Sequence, residues 1–227
     1  MNSIGTLNEK EIHKFVKDYI EPNINNQEVH VGNYIADIKC NNKIYEVQTK
    51  NLSKLHNKLE YYVNKSYDVT VVYPMTYSKR IHWIDPETDE EIICNRVSYR
   101  GKIQDAFKEI YSINWFIVNT NVKLKILFLD VDVYKYKDGY GRNNSYRATT
   151  IGKYPTRVVN EVDINSLDDY YKFLPDNLPE EFTSKDYQRC SHSNSRYIAS
   201  GLKVLRELGI ITMIGKKGRA YVYKRNK

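Results

Sequence analysis

The stretch from Tyr34 to Lys50 constrains the fold of this chain more than any other. It consists of two short segments, Tyr34 to Cys40 and Lys43 to Lys50, which are separated by Asn41 and Asn42. Asparagine tolerates the left-handed backbone that a tight turn between antiparallel strands requires. The stretch is therefore predicted to form a β-hairpin.

Asp37 on the first strand, and Glu46 and Gln48 on the second, interrupt this otherwise apolar hairpin. Side chains alternate along a strand with a period of two, so Glu46 and Gln48 share a face. Buried carboxylates are costly unless they are paired or bind a metal ion. Two carboxylates brought together across a hairpin would bind a hard cation such as Mg²⁺ or Mn²⁺, which activates water and neutralises charge on a phosphate. The alternative is a surface hairpin whose carboxylates are solvated.

Helical and strand patterns flank the hairpin. Apolar positions from Leu7 to Ile20 recur at helical spacing and Pro22 closes that segment, which predicts an amphipathic helix. After the hairpin, Leu52 to Val63 again shows helical spacing, and the β-branched run from Val69 to Tyr73 predicts a strand that ends at Pro74. The predicted order is helix, strand, strand, helix, strand.

This arrangement resembles the PD-(D/E)XK, or restriction-endonuclease-like, nuclease superfamily over residues 5 to about 133. Asp37, Glu46 and Gln48 have the spacing D-x8-E-x-Q, and some restriction endonucleases carry Gln where most members have Lys. The resemblance implies an α/β fold with a mixed β-sheet core flanked by helices, and a Mg²⁺- or Mn²⁺-dependent endonuclease that hydrolyses DNA. Asp37 and Glu46 would hold the metal ion, and Gln48 would position the attacking water.

The same resemblance suggests two further roles. Members often supply another acidic residue from the first helix, and Glu9 is predicted for this role because it shares the apolar face of that helix. Gln48 leaves the general base open, since a lysine elsewhere could replace the usual one. The sequence offers Lys50 on the face of the motif residues, and Lys54 and Lys58 on the next helix.

Between the motif and the C-terminal segment, the patterns predict a hairpin from Arg80 to Ile93, a helix from Gly101 to Tyr111 and an apolar strand from Leu124 to Val133. Residues Asp138 to Arg157 contain Gly and Pro but little periodicity, so a long surface loop or irregular connector is expected. A short helix is expected from Asn165 to Phe173. The basic side chains of the loop could contact DNA, and an exposed linker is an equal alternative.

Positive charge is concentrated at the C-terminus. The chain has a formal net charge of +7, and the segment from Glu180 to Lys227 holds eleven Lys and Arg against four Asp and Glu. This segment thus accounts for the whole excess. A positive field confined to one segment suggests contact with a polyanion, and a solvated basic tail is the alternative.

The same segment has the order helix, helix, basic hairpin. Thr183 or Ser184 is expected to cap the first helix, the second runs from about Ser193 to Leu208, and a basic turn at Gly215 to Arg219 joins two strands. This order resembles the winged helix-turn-helix family, whose members bind DNA and in some cases proteins. By that resemblance the DNA-contacting residues are Asn194, Arg196, Tyr197, Lys203, Lys216, Lys217 and Arg219.

The predicted organisation is a nuclease-like domain at residues 1–135, a connector with a basic loop at 136–178 and a winged-helix domain at 179–227. Three dispersed cysteines, without a signal-peptide or membrane-span pattern, predict a cytoplasmic protein. DNA is the expected partner, no membrane is expected, and the resemblance leaves a homodimer open. Two competing interpretations are a catalytically silent nuclease-like regulator that binds DNA and a structural protein whose winged helix contacts other proteins.

Overall fold

The computed structural model describes residues 4–98, 100–136, 138, 148–193 and 195–226, and their side chains except those of 4–9, 92–98 and 195. Within these residues the α-helices are α1 (Ile4–Ile20), α2 (His56–Asn64), α3 (Phe107–Asn119), α4 (Ser184–Ser191) and α5 (Ser195–Glu207). The strands are β1 (Gln27–Val31), β2 (Tyr34–Cys40), β3 (Lys43–Val47), β4 (Asp68–Ile84), β5 (Glu91–Ser98), β6 (Lys123–Tyr136), β7 (Thr149–Ile164), β8 (Glu181–Thr183), β9 (Ile211–Lys217) and β10 (Ala220–Arg225). Short 3₁₀ helices span Ile24–Asn26, Leu52–Leu55, Ile103–Ala106 and Asp168–Phe173. No described helix is long and apolar enough to cross a membrane.

Seven of the described strands form one sheet, in the order β1-β2-β3-β4-β6-β7 with β5 paired to β4. β1, β2 and β3 form an antiparallel meander, and β4 and β5 form an antiparallel hairpin. The fold is α/β with a mixed sheet and accompanying helices, which confirms the α/β class expected from the sequence, while the nuclease-like core and the winged helix remain predictions. Both predicted hairpins are confirmed, whereas β1 has no counterpart in the sequence-based prediction.

One face of α1 packs on this sheet. Val16 is buried in a cluster with Val47, Val72 and alternate residues of β6, namely Leu127, Leu129, Val131 and Val133. Each fully buried Val or Leu side chain contributes roughly 1.5–3 kcal/mol relative to an exposed one. The helical spacing read from the sequence therefore corresponds to the buried stripe of α1.

The strand predicted to end at Pro74 is longer than expected, because β4 continues to Ile84. In a β-strand, the N–H and C=O groups of one residue point toward the same neighbouring strand. The groups of every second residue point toward that strand as well. The Val72 carbonyl accepts the Gln48 N–H at 3.0 Å, so Pro74 turns its missing donor toward β3, which has ended at Val47. Pro74 thus costs β4 no ladder hydrogen bond, and the predicted break is wrong.

The predicted loop from Asp138 to Arg157 is wrong over its second half, because residues from Thr149 onward form β7. Residues 139–147 lie outside the described residues. β7 is the last strand in the sheet order, and an edge strand tolerates Gly152 and Pro155 because one side of its backbone needs no ladder partner. The glycine and proline residues therefore led to the prediction of a loop, although the β-branched residues of this segment favour a strand.

The C-terminal segment has the predicted order of two helices and a hairpin. Thr183 caps α4, since its Oγ1 accepts the Asp186 N–H while the Asp186 carboxylate accepts the Thr183 N–H. β9 and β10 are antiparallel and are joined at Gly218, whose φ of 62° is readily adopted by glycine. β8 pairs with β10 and completes a three-stranded sheet.

The chain divides into two compact units. The first comprises residues 1–49, 72–101 and 126–162, and the second comprises 50–71, 102–125 and 163–227. Each unit is built from segments that are distant in sequence. The linear division predicted at residues 135 and 178 remains a prediction.

Packing of α5 on α3, inside the second unit, gives a testable prediction. A Cβ atom added at Gly201 would lie 2.3 Å from the ring of Phe107, which is fully buried. Overpacking costs about 1–3 kcal/mol and the helix preference of Ala over Gly returns at most about 1 kcal/mol. We expect Gly201→Ala to lower the free energy of unfolding by roughly 1–2 kcal/mol in urea denaturation. Gly215→Ala is the matched control, because nothing lies within 4 Å of its added Cβ; equal unfolding midpoints for the two variants would contradict this packing.

Candidate functional site

The two carboxylates of the predicted motif lie on neighbouring strands. The antiparallel register pairs Ile38 with Tyr45, and Asp37 and Glu46 are the residues next to this last pair. At this point the Val47 N–H donates to Oδ2 of Asp37 at 2.8 Å. The hairpin therefore brings the Asp37 carboxylate to the strand that carries Glu46.

Both carboxylates are withdrawn from solvent. Glu46 is only 1% exposed, and the side chain of Asp37 is 17% exposed. An ionised carboxylate in such surroundings needs hydrogen-bond donors or a nearby cation to offset its lost hydration. These two residues are consequently not the solvated carboxylates of an ordinary surface hairpin.

His13 on α1 reaches the same carboxylate. Its Nε2 lies 3.2 Å from Oδ2 of Asp37, so the histidine and the Val47 N–H approach one oxygen atom. The sequence-based interpretation gave His13 no role. The signal available was its position four residues after Glu9, a spacing that puts two residues on one helix face.

The structure leaves the predicted third acidic residue untested. The backbone of Glu9 belongs to α1, but its side chain lies outside the described residues. Among the side chains that are described, no group of three or more His, Cys, Asp or Glu is arranged to hold a metal ion. Asp37 and Glu46 are the described acidic residues of the predicted motif, and the role of Glu9 remains a prediction.

An ion pair between α1 and β1 lies next to the acidic residues. The Lys17 ammonium, almost fully buried, donates to Oε1 of Glu28 at 2.6 Å, and this bond holds the pKa of the Glu28 carboxyl below its usual value. The backbone of Glu28 takes the left-handed conformation at φ 53°, at the position facing Asp37 in the β1–β2 register. His13, Lys17 and Glu28 line a cleft of about 720 Å³, together with Lys14.

Gln48 lies one residue beyond β3. Its N–H donates to Val72, its side chain is half-buried, and Asn51 then adopts a left-handed conformation before the 3₁₀ helix begins. The predicted strand thus stops at Val47 rather than at Lys50, and the chain turns at Asn51. Lys50 is exposed outside the strand, so strand alternation no longer puts it on the face of the motif.

Lys54 lies in the 3₁₀ helix that follows this turn, and Lys58 lies in α2. Both residues belong to the second compact unit. Replacement of the usual lysine by Lys50, Lys54 or Lys58 remains a prediction.

The predicted DNA-contacting residues of α5 differ in their surroundings. Asn194 lies outside the described residues, Arg196 is exposed and Tyr197 is half-buried. Lys203 instead turns to α3, where its Nζ donates to the Tyr111 hydroxyl at 2.7 Å and lies 4.9 Å from the centre of that ring.

The basic turn between β9 and β10 is open to solvent. Lys216, Lys217 and Arg219 are all exposed, and Lys216 Nζ lies 4.9 Å from the ring centre of Tyr221 on the adjacent strand. The turn therefore exposes three cations on one hairpin, an arrangement that suits contact with a polyanion.

Comparison with known proteins gives two matches. The sequence model of the family described as Domain of unknown function (DUF8091) matches residues 10–165. An uncharacterized protein of Treponema pallidum (strain Nichols) is 26% identical over 225 residues, which cover 98% of this chain and 88% of that protein. No solved structure matches significantly. The family match includes Asp37, Glu46 and Gln48 and ends before the C-terminal helices.

The contacts of Asp37 predict how its replacement affects stability. Asp37→Ala leaves the part-buried Val47 N–H without its acceptor, and such a loss costs about 1–3 kcal/mol. Asp37→Asn keeps an oxygen that can accept this bond, so we expect a loss of less than about 1 kcal/mol. Urea denaturation measures both values. If the two variants unfold at the same midpoint, the bond from Val47 does not stabilise the hairpin.

Proposed function

This chain belongs to the family described as Domain of unknown function (DUF8091), and we propose that it is a divalent-metal-dependent endonuclease that hydrolyses phosphodiester bonds of DNA. One observation carries the proposal: the hairpin brings the Asp37 carboxylate to the N–H of Val47, the residue next to the fully buried Glu46. Burial of two adjacent carboxylates is unfavourable in the absence of a cation or donors, and it is useful at a site that binds a cation.

The donor set fits Mg²⁺ or Mn²⁺. Mg²⁺ is bound through one or two carboxylates and keeps several of its waters, so Asp37 and Glu46 suffice as protein ligands. When bound, the ion would lower the pKa of a water molecule and neutralise charge on the phosphate. Glu9 would complete the acidic set, and Gln48 would orient the water through its amide. His13 would restrain the Asp37 carboxylate through their contact.

The order of elements supports the resemblance to PD-(D/E)XK nucleases. Over residues 4–84 it is helix, three meandering strands, helix and strand, and β3 lies beside β4 in the sheet. By the resemblance, the three meandering strands carry the motif. Asp37 and Glu46 occupy these strands.

The C-terminal segment would hold the DNA. We propose a winged helix in which α5 contacts a major groove through Arg196 and Tyr197, while the turn at Lys216, Lys217 and Arg219 contacts the backbone. Lys203 contributes less directly in this arrangement, because its ammonium is bound to Tyr111. The proposal keeps a cytoplasmic location and leaves homodimer formation open, since one site per chain cuts one strand.

Cleavage of plasmid DNA tests the enzyme proposal. We expect the wild type to nick or linearise DNA in Mg²⁺ or Mn²⁺ but not in EDTA, and Asp37→Asn and Glu46→Gln to reduce the rate by about 100-fold or more. Asp176→Asn is the matched control, because Asp176 is exposed and lies in the second unit. Equal rates for wild type and Asp37→Asn would exclude this site as the source of any cutting.

A catalytically silent DNA-binding regulator is the second candidate. It is favoured by the engagement of Asp37 Oδ2, which already accepts the Val47 N–H and lies within 3.2 Å of His13. In this case titration with Mn²⁺ produces no binding heat, while DNA binding persists.

DNA binding by the basic turn is expected under both candidates. Removing two phosphate contacts should lower the slope of log K against log salt concentration by about 1.8. We therefore expect this change for Lys216→Gln combined with Lys217→Gln, measured by fluorescence anisotropy in EDTA. The control pair Lys43→Gln and Lys65→Gln removes two exposed charges outside the turn. An unchanged slope in the first pair would show that the turn does not contact DNA.

A further inference from the structure

An exposed apolar stripe runs along α3 and consists of Tyr111, Trp115 and Val118. The three residues are four and three positions apart, so they share one face of the helix. Their side chains remain open to solvent, with 43% of Tyr111, 64% of Trp115 and 44% of Val118 exposed. A single exposed apolar residue is ordinary, whereas several on one face that include a tryptophan indicate a surface for a partner.

Positive side chains border this stripe. Lys108 is exposed one turn before Tyr111 on α3. Lys203 of α5 donates from its Nζ to the Tyr111 hydroxyl at 2.7 Å and lies 4.9 Å from the centre of that ring. The hydrogen bond from Lys203 to Tyr111 holds the pKa of the Lys203 ammonium above its usual value. Both helices belong to the second unit, so this contact joins the stripe to the exposed face of α5.

The joined surface carries an excess of positive charge. α5 has exposed Arg196 and Arg206 in addition to Lys203, and its one acidic residue, Glu207, lies 3.8 Å from Lys203 Nζ. The one acidic residue of α3, Glu109, is buried and accepts a backbone N–H. Cations therefore outnumber carboxylates on the exposed faces of the two helices.

This charge favours one kind of partner. A second copy of the chain, docked on the same face by two-fold symmetry, would bring the cations of both copies together, which is unfavourable. A nucleic acid is attracted by these cations and also offers flat base faces to exposed aromatic rings. In a duplex the base faces are already stacked on one another, and only an unpaired strand presents them freely.

We propose that Tyr111 and Trp115 stack on bases of single-stranded DNA, whose phosphates contact Lys108 and Lys203. The Lys203 ammonium has donors beyond the one bound to Tyr111, so it can hold this ring and still bind a phosphate. The choice of DNA rests on the proposed function, whereas stacking of bases beside the two lysines does not. An unpaired segment would then be part of the DNA that the protein recognises.

Trp115→Ala tests the stacking platform. Loss of one stacked base should weaken the binding of a fluorescein-labelled oligothymidine about 5- to 100-fold, as measured by fluorescence anisotropy in EDTA. Trp115→Phe keeps a ring and should bind nearly as the wild type does. Leu167→Ala is the matched control, because it removes another exposed apolar side chain of the second unit. Equal affinities of the wild type and Trp115→Ala would overturn the proposal.

Tryptophan fluorescence reports stacking without a replacement in the stripe. The chain contains two tryptophans, so Trp83→Phe leaves Trp115 as the only one. Oligothymidine should quench the Trp115 emission by stacking, whereas heparin, a polyanion without bases, should bind without quenching it. Equal quenching by heparin would show that the stripe responds to charge alone, and stacking would be excluded.

Other partners give different results. A blunt DNA duplex should bind Trp115→Ala as tightly as the wild type, and an equal loss with duplex and single strand would exclude the unpaired strand as the ligand. Tighter Trp115-dependent binding of oligouridine would overturn the choice of DNA. Sedimentation velocity covers the remaining case, since a dimer that Trp115→Ala converts to a monomer would assign the stripe to a second copy of the chain.

Binding is measured in EDTA, so its outcome does not depend on cutting. Trp115-dependent binding of the single strand by a protein that never cleaves DNA would refute the enzyme and retain this surface. Cleavage that depends on Asp37, combined with unchanged single-strand binding by Trp115→Ala, would refute this surface and retain the enzyme.

Discussion

The hydrogen bond from the Val47 N–H to the Asp37 carboxylate holds the hairpin at the position where the acidic site is formed. In a regular ladder, backbone carbonyls accept the N–H groups of the neighbouring strand. Here a side chain takes that place, so the strand that carries Glu46 is tied to the residue with which Glu46 would share a cation. The local structure and the proposed chemistry therefore depend on the same carboxylate oxygen, and replacements that retain an oxygen separate the two roles.

The sheet also separates charges by the alternation of its strands. Along β6, even-numbered Asp130 and Asp132 meet Ser78, Arg157 and His82 on one face, while the odd-numbered positions are apolar and end at Lys135. A shift of register by one residue would place carboxylates in the core, so this separation contributes to register specificity.

Short-range patterns in the sequence were sufficient for the hairpin and for α1. Asn41 takes the left-handed conformation at φ 54° that the turn requires, and the apolar spacing of α1 matches its buried stripe. Long-range features were not accessible in this way. Pro74 is tolerated because β3 ends opposite it, and β7 accepts glycine and proline because it lies at the edge of the sheet.

The acidic site also combines features that the sequence predicts with features that depend on long-range packing. The positions of Asp37 and Glu46 follow from strand alternation, but the approach of His13 depends on how α1 lies over the sheet, which its sequence does not specify. Gln48 limits the chemistry of the proposed site. An amide does not take up a proton at neutral pH, so Gln48 can only orient the attacking water. Strand alternation does not help to choose a lysine either, since β3 ends before Lys50. With two carboxylates and an orienting amide, activation of water would have to come from a bound cation, so a metal requirement is the property on which the proposed activity depends.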